Sequence, residues 1–70
     1  MQIEKGDFVL ISGEATGYGF LEGYINRVYN DLSGEPIAEV TYTPESREKA
    51  NGVLGIVCRA CFCKLKRCES

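Results

Sequence analysis

The sequence predicts a mainly β fold, a small five-stranded barrel made by a single domain over residues 1–70. Three observations carry this reading. Short apolar runs rich in β-branched and aromatic residues recur along the chain. Eight glycines fall between and within them, where the backbone must turn or bend. Only one stretch, near residues 44–50, has helix chemistry. Five short strands in seventy residues cannot form a large sandwich, but they can close into a strongly bent barrel.

The elements follow in order. After the Gly6-Asp7 turn, Phe8-Val9-Leu10-Ile11 is a short apolar strand. Gly13, Gly17, Gly19 and Gly23 then punctuate a stretch that reads as a loop. Leu21 to Tyr29 is a longer strand, in which Gly23-x-Ile25-x-x-Val28 breaks alternation by one residue, as a β-bulge does. Asn30 to Pro36 is turn chemistry. From Ile37 to Thr43 alternation resumes, with Ala38, Val40 and Tyr42 on one face.

Thr43 can cap a helix, Pro44 suits its first position, and Glu45 and Lys49 stand four apart. Asn51-Gly52 can end it. The alternative for 44–50 is a charged loop closing in an Asn-Gly turn. Val53 to Cys58 is a fourth strand, Arg59-Ala60-Cys61-Phe62 a tight turn, and Cys63 to Arg67 a short fifth strand. The predicted core is Val9, Ile11, Ile25, Val28, Val40, Leu54, Ile56 and Leu65, with Phe and Tyr filling the remainder.

The net charge of −2 conceals an asymmetry. Residues 1–57 hold nine acids against four bases, whereas residues 58–70 hold four bases (Arg59, Lys64, Lys66, Arg67) and one acid. An acidic body repels a phosphate backbone and leaves only a basic C-terminal edge for polyanions. No apolar stretch has the form of a signal peptide or reaches membrane-spanning length, so the expected location is the cytosol, where thiols stay reduced. The chain has no His, and no carboxylates are paired in a recognisable catalytic motif, so an enzyme is not expected.

Residues 5–28 resemble the KOW motif, through Lys5-Gly6-Asp7-Phe8-Val9-Leu10-Ile11-Ser12-Gly13, Gly19, and Gly23-Tyr24-Ile25-Asn26-Arg27-Val28. That motif belongs to the SH3-like barrels of transcription elongation factors and ribosomal proteins. The remainder of the chain is similar only in strand rhythm. The resemblance implies a five-stranded SH3-like barrel and, from its pattern, Val9 and Ile11 facing inward with Phe8 and Leu10 outward. It also implies nucleic-acid or ribosome binding. Yet the loop that carries lysines in the family reads Glu14-Ala15-Thr16-Gly17-Tyr18 here. A second barrel precedent, the plasmid-type dihydrofolate reductase, is set aside because its Val-Gln-Ile-Tyr segment is missing.

Three constellations are candidate sites. In Gly17-Tyr18-Gly19-Phe20, glycines present aromatics at one end of the sheet; Tyr18 is read as an exposed anchor and Phe20 as folding inward to cap the core. With outward Phe8 and Leu10, these four form the candidate partner-binding set. Arg59, Lys64, Lys66 and Arg67 form the alternative, a nucleic-acid contact. Cys58, Cys61, Cys63 and Cys68 stand as C-x2-C-x-C-x4-C, which a zinc ion could gather. The opposing reading is of small buried residues with unpaired thiols and no cofactor, with disulfides ranked below both because nothing indicates export.

The expectation is a non-enzymatic module that binds a protein as a monomer or homodimer, in the style of an accessory or regulatory protein of a virus or mobile element. A KOW-like nucleic-acid or ribosome-associated module and a zinc-stabilised domain are the alternatives.

Overall fold

A computed structural model describes residues 3–68. Its elements are β1 (Phe8–Ile11), α1 (Gly13–Thr16), β2 (Leu21–Asn30), β3 (Pro36–Tyr42), α2 (Pro44–Lys49), β4 (Gly55–Arg59), α3 (Ala60–Cys63) and β5 (Lys66–Arg67). The strands form one antiparallel sheet in the order β4-β3-β2-β1-β5. The mainly β reading therefore stands. The closed barrel does not appear in the hydrogen bonding: β4 and β5 are both edge strands, and no pairing joins them among the described residues.

The bulge lies where the pattern broke. The β2–β3 register shifts between Ile25 and Arg27, leaving Asn26 as the extra residue. The Asn26 side-chain amide donates to the Thr41 hydroxyl across the bend. Ahead of it, Gly23 lies where β2 passes closest to β3. A Cβ there would sit 2.5 Å from the Thr41 carbonyl oxygen and 2.7 Å from Val40 Cγ1.

Strand faces sort as predicted. Val9 and Ile11 on β1, and Ala38, Val40 and Tyr42 on β3, are buried, while Phe8 and Leu10 are only partly covered. Leu21, Ile25, Ala50, Cys63 and Leu65 complete the core, and Val28 and Ile56 pack at its edge. Leu54 departs from the prediction. β4 starts only at Gly55, and Leu54 follows the Asn51-Gly52 turn (φ 54° and 85°), so its side chain is 66% exposed. Aromatic filling was also overestimated: Phe20 and Phe62 are exposed, Phe8 is half-buried, and among the rings Tyr42 alone is core.

Helix is not confined to the stretch near residues 44–50. That stretch does form α2, with Thr43 Oγ1 accepting from the Ser46 N–H at 3.3 Å and Pro44 at the start. Two further turns were not foreseen. α1 interrupts the glycine loop, capped by Ser12 and closed by Gly17 at φ 80°. α3 occupies the predicted tight turn and takes in Cys63, so β5 shrinks to Lys66–Arg67.

α2 is fastened through a residue that pattern reading passed over. Ser46 is buried, and its Oγ accepts the Glu22 N–H at 2.8 Å while the Thr43 N–H donates to the Glu22 carbonyl at 3.0 Å. Both backbone groups of Glu22 are thus satisfied by the start of α2.

Two measurements check these assignments. Gly23→Ala should destabilise the domain by about 1–3 kcal/mol in urea titration, because the added methyl overlaps the β3 backbone; an unchanged midpoint would mean that the close approach is absent. Asp31 provides the second. Its carboxylate is held below the ordinary range first by the Ser33 hydroxyl at 2.8 Å, then by the Glu35 and Ser33 N–H groups, with a smaller contribution from Arg59. Because the folded-state pKa is lowered, this turn's contribution is complete above the ordinary carboxylate range and is lost as pH falls through the lowered value. NMR titration should give an Asp31 midpoint below that of a free aspartate, rising in Ser33→Ala.

Candidate functional site

The carbonyl of Cys63, at the end of α3, accepts the N–H of Ser12 at 2.9 Å. Ser12 is itself buried, and its Oγ accepts the Ala15 N–H at 3.3 Å, starting α1. One residue therefore locks together the end of β1, the glycine loop and α3. A groove of about 530 Å³ opens beside this junction, lined by Leu10, Ser12, Gly13, Glu14, Phe20, Lys64 and Lys66.

Each wall has a local cause. Leu10 faces out from β1 and stands opposite Lys66 in the β1–β5 register. Phe20 precedes β2 and is 67% exposed, which overturns the expectation that it folds inward. Val9, Ile11, Ala38, Val40 and Tyr42 already fill the inner face of β1 and β3, and the Phe20 ring stays outside it. Lys64 ends α3 at φ 52°, a left-handed conformation that costs a lysine energy, and its N–H donates to the Ala60 carbonyl. Its ammonium pairs with Glu14 at 3.7 Å across the groove's end. Both side chains are largely exposed, so the pair orients more than it stabilises.

The predicted partner-binding set is divided by the structure. Leu10 and Phe20 share the groove. Phe8 lies two residues along the same face of β1, with its ring against Tyr24 at 5.0 Å. Tyr18 is 43% exposed but does not line the groove. Its loop is pinned by Thr16, whose Oγ1 donates to the Gly19 carbonyl at 2.6 Å and accepts the Tyr18 N–H at 3.1 Å. Burial pushes the Tyr42 phenol above its ordinary pKa, and the nearby Tyr18 adds to the shift.

The basic set is divided as well. Lys64 and Lys66 flank the groove, Arg67 pairs with Asp7 at 3.2 Å, and Arg59 ends β4 at the other edge of the sheet. Ser12, Gly13 and Glu14 were not singled out from the sequence. Their signal was present: a Ser, an acid two positions on and a closing Gly17 make the start and stop of a short helix.

The cysteines also differ from expectation. Cys58 and Cys63 pair as a disulfide with Cα atoms 6.5 Å apart, although disulfides ranked lowest. α3 explains this, since one helical turn carries Cys63 back over the end of β4, within the Cα spacing a disulfide requires. Cys61 is exposed and its thiol faces the Glu35 carboxylate at 3.9 Å, while the Cys68 thiol faces the Lys66 carbonyl at 3.9 Å. Among the described residues, no three Cys, Asp or Glu side chains converge on a point where a metal could sit. Also among them, no helix is long and apolar enough to cross a membrane.

Thiol titration of protein purified without reductant should find two reactive cysteines, Cys61 and Cys68, and peptide mapping should link Cys58 to Cys63. Four reactive thiols would show that the pair is reduced.

Comparison with protein-family models, with curated proteins and with solved structures finds no match to this chain.

Proposed function

We propose that this domain is a non-enzymatic binding module, and that the groove between β1, the glycine loop and α3 receives a protein segment with an apolar anchor and an acidic neighbour. The observation that carries the reading is the meeting of Leu10 and exposed Phe20 with Lys64 and Lys66 around one groove. An apolar side chain laid between Leu10 and Phe20 leaves water, which favours binding at roughly 25 cal/mol per Å² buried. Lys66 has no ion pair among the described residues, so a carboxylate of the partner meets an unopposed charge.

The groove's ionisable groups are two lysines and Glu14, and Glu14 is exposed and tied to Lys64, which favours binding over acid–base chemistry. The strand order, with one helical turn before the last strand, supports the SH3-like barrel reading. We propose an accessory or regulatory role in a virus or mobile element as the setting. In the cytosol, the compartment expected from the sequence, the Cys58–Cys63 pair would be held reduced.

A second reading draws on the same place. An exposed ring beside two lysines also suits single-stranded nucleic acid, by stacking and phosphate contact. The acidic body weighs against it, and Arg59 is not among the residues that line the groove.

Selection from displayed random peptides should enrich an apolar residue next to Asp or Glu. Phe20→Ser should weaken the enriched peptide by about tenfold or more, and Lys66→Gln by less, with circular dichroism unchanged. The nucleic-acid reading takes precedence if labelled RNA or DNA binds with a steep salt slope and no peptide is enriched.

A further inference from the structure

The two edges of the sheet are not treated alike. β5 is two residues long and carries Lys66 and Arg67, both of which discourage another strand from docking. β4 has five residues, Gly-Ile-Val-Cys-Arg, with no proline, no bulge and a single charge at its end.

The phase of β4's hydrogen bonds is set by Tyr42, whose N–H donates to the Leu54 carbonyl at 2.9 Å. Continuing the alternation through the β3–β4 register, Ile56 and Cys58 turn their backbone groups toward β3, while Gly55, Val57 and Arg59 turn theirs outward. Among the described residues, no hydrogen bond reaches the outer backbone groups of Gly55 or Val57. Beside this bare edge, Val57 is 60% and Leu54 66% exposed.

We infer that β4 is a self-association edge, pairing antiparallel with β4 of a second copy across a two-fold axis at Val57. The outward residues are symmetric about Val57, so this register pairs them mutually: Val57 meets Val57, and Gly55 meets Arg59 at either end. There the Arg59 carbonyl, already accepting the first bond of α3, takes the Gly55 N–H on its second lone pair. Slipping by one residue would turn the outward groups away from each other. Charge supports the same occupant. The two Arg59 side chains fall at opposite ends, each lying over Gly55 of the other copy, which has no side chain. From there the guanidinium extends toward Thr41 and Glu39, which stand opposite Gly55 and Val57 on β3. Glu39 already pairs with Arg27 at 3.3 Å, and a second cation can share its carboxylate. The interface is short, so the dimer is concentration-dependent.

The test is sedimentation velocity over a concentration series, with amide hydrogen exchange at both ends of it. The wild-type chain is expected to pass from monomer to dimer, with the Gly55 and Val57 amides gaining protection as it does. Val57→Lys sets two like charges face to face on the axis and should raise the dissociation constant at least about tenfold, with circular dichroism unchanged. Arg59→Glu should weaken the dimer too, and Phe20→Ser, in the groove, should leave it intact. A wild-type chain that stays monomeric at NMR concentrations overturns the inference, as does dimer loss in Phe20→Ser or dimerisation without protection of Gly55 and Val57. The exchange result stands on the wild-type protein alone, so it decides the matter even if a variant fails to fold.

Discussion

The structure depends on a short crossing. β4 and β5 lie at opposite ends of the strand order, yet only Ala60 to Leu65 separate them in sequence. Laid flat, five strands would put their outer members roughly 19 Å apart. A segment in which one turn is helical spans about 16 Å at most. The sheet must therefore curl, and the curl creates an inside. Val9, Ile11, Ile25, Ala38 and Val40 face that side, and Cys63 and Leu65 of the crossing segment close it. The bulge at Asn26 and the close approach at Gly23 are local devices that let the long β2–β3 ribbon follow the bend.

The crossing segment also builds the groove. α3 brings the Cys63 carbonyl to Ser12 and leaves Lys64 in a left-handed turn from which its amine reaches Glu14. The groove is thus a by-product of closing the core, with walls taken from three places far apart in sequence. The Cys58–Cys63 link ties α3 to the end of β4 at the point where the chain leaves the sheet.

What the sequence disclosed and what it hid divide along physical lines. Period-two alternation located β3 and the faces of Ala38, Val40 and Tyr42, because burial on one face imposes that pattern. Phe8 to Ile11 is apolar throughout, so the inward facing of Val9 and Ile11 came from the family resemblance alone. Capping chemistry located α2, because Thr43 and Pro44 act within a few residues of themselves. Leu54 and Phe20 were misplaced for a shared reason. Both are large apolar residues next to turns, where alternation no longer dictates direction, and hydrophobicity alone does not force burial. The Cys58–Cys63 pairing and the Ser46 contact with Glu22 depend on where a helix docks, which composition does not encode. Within the candidate site, Leu10 was legible as an outward residue of the first strand through the family resemblance. Phe20 was read inward and lies outward, and the role of Ser12 emerges only once α3 is in place.

The two-residue pairing of β5 with β1 is the shortest in the sheet, and joining those strands closes most of the chain into one loop. Contacts of such separation form late and, when so few, open early. Leu10 and Lys66 stand on either side of that seam and both line the groove. Anything seated there holds the seam shut, and its binding free energy adds directly to the stability of the native state by mass action. Occupancy of the groove and resistance to thermal unfolding are then two readings of one equilibrium.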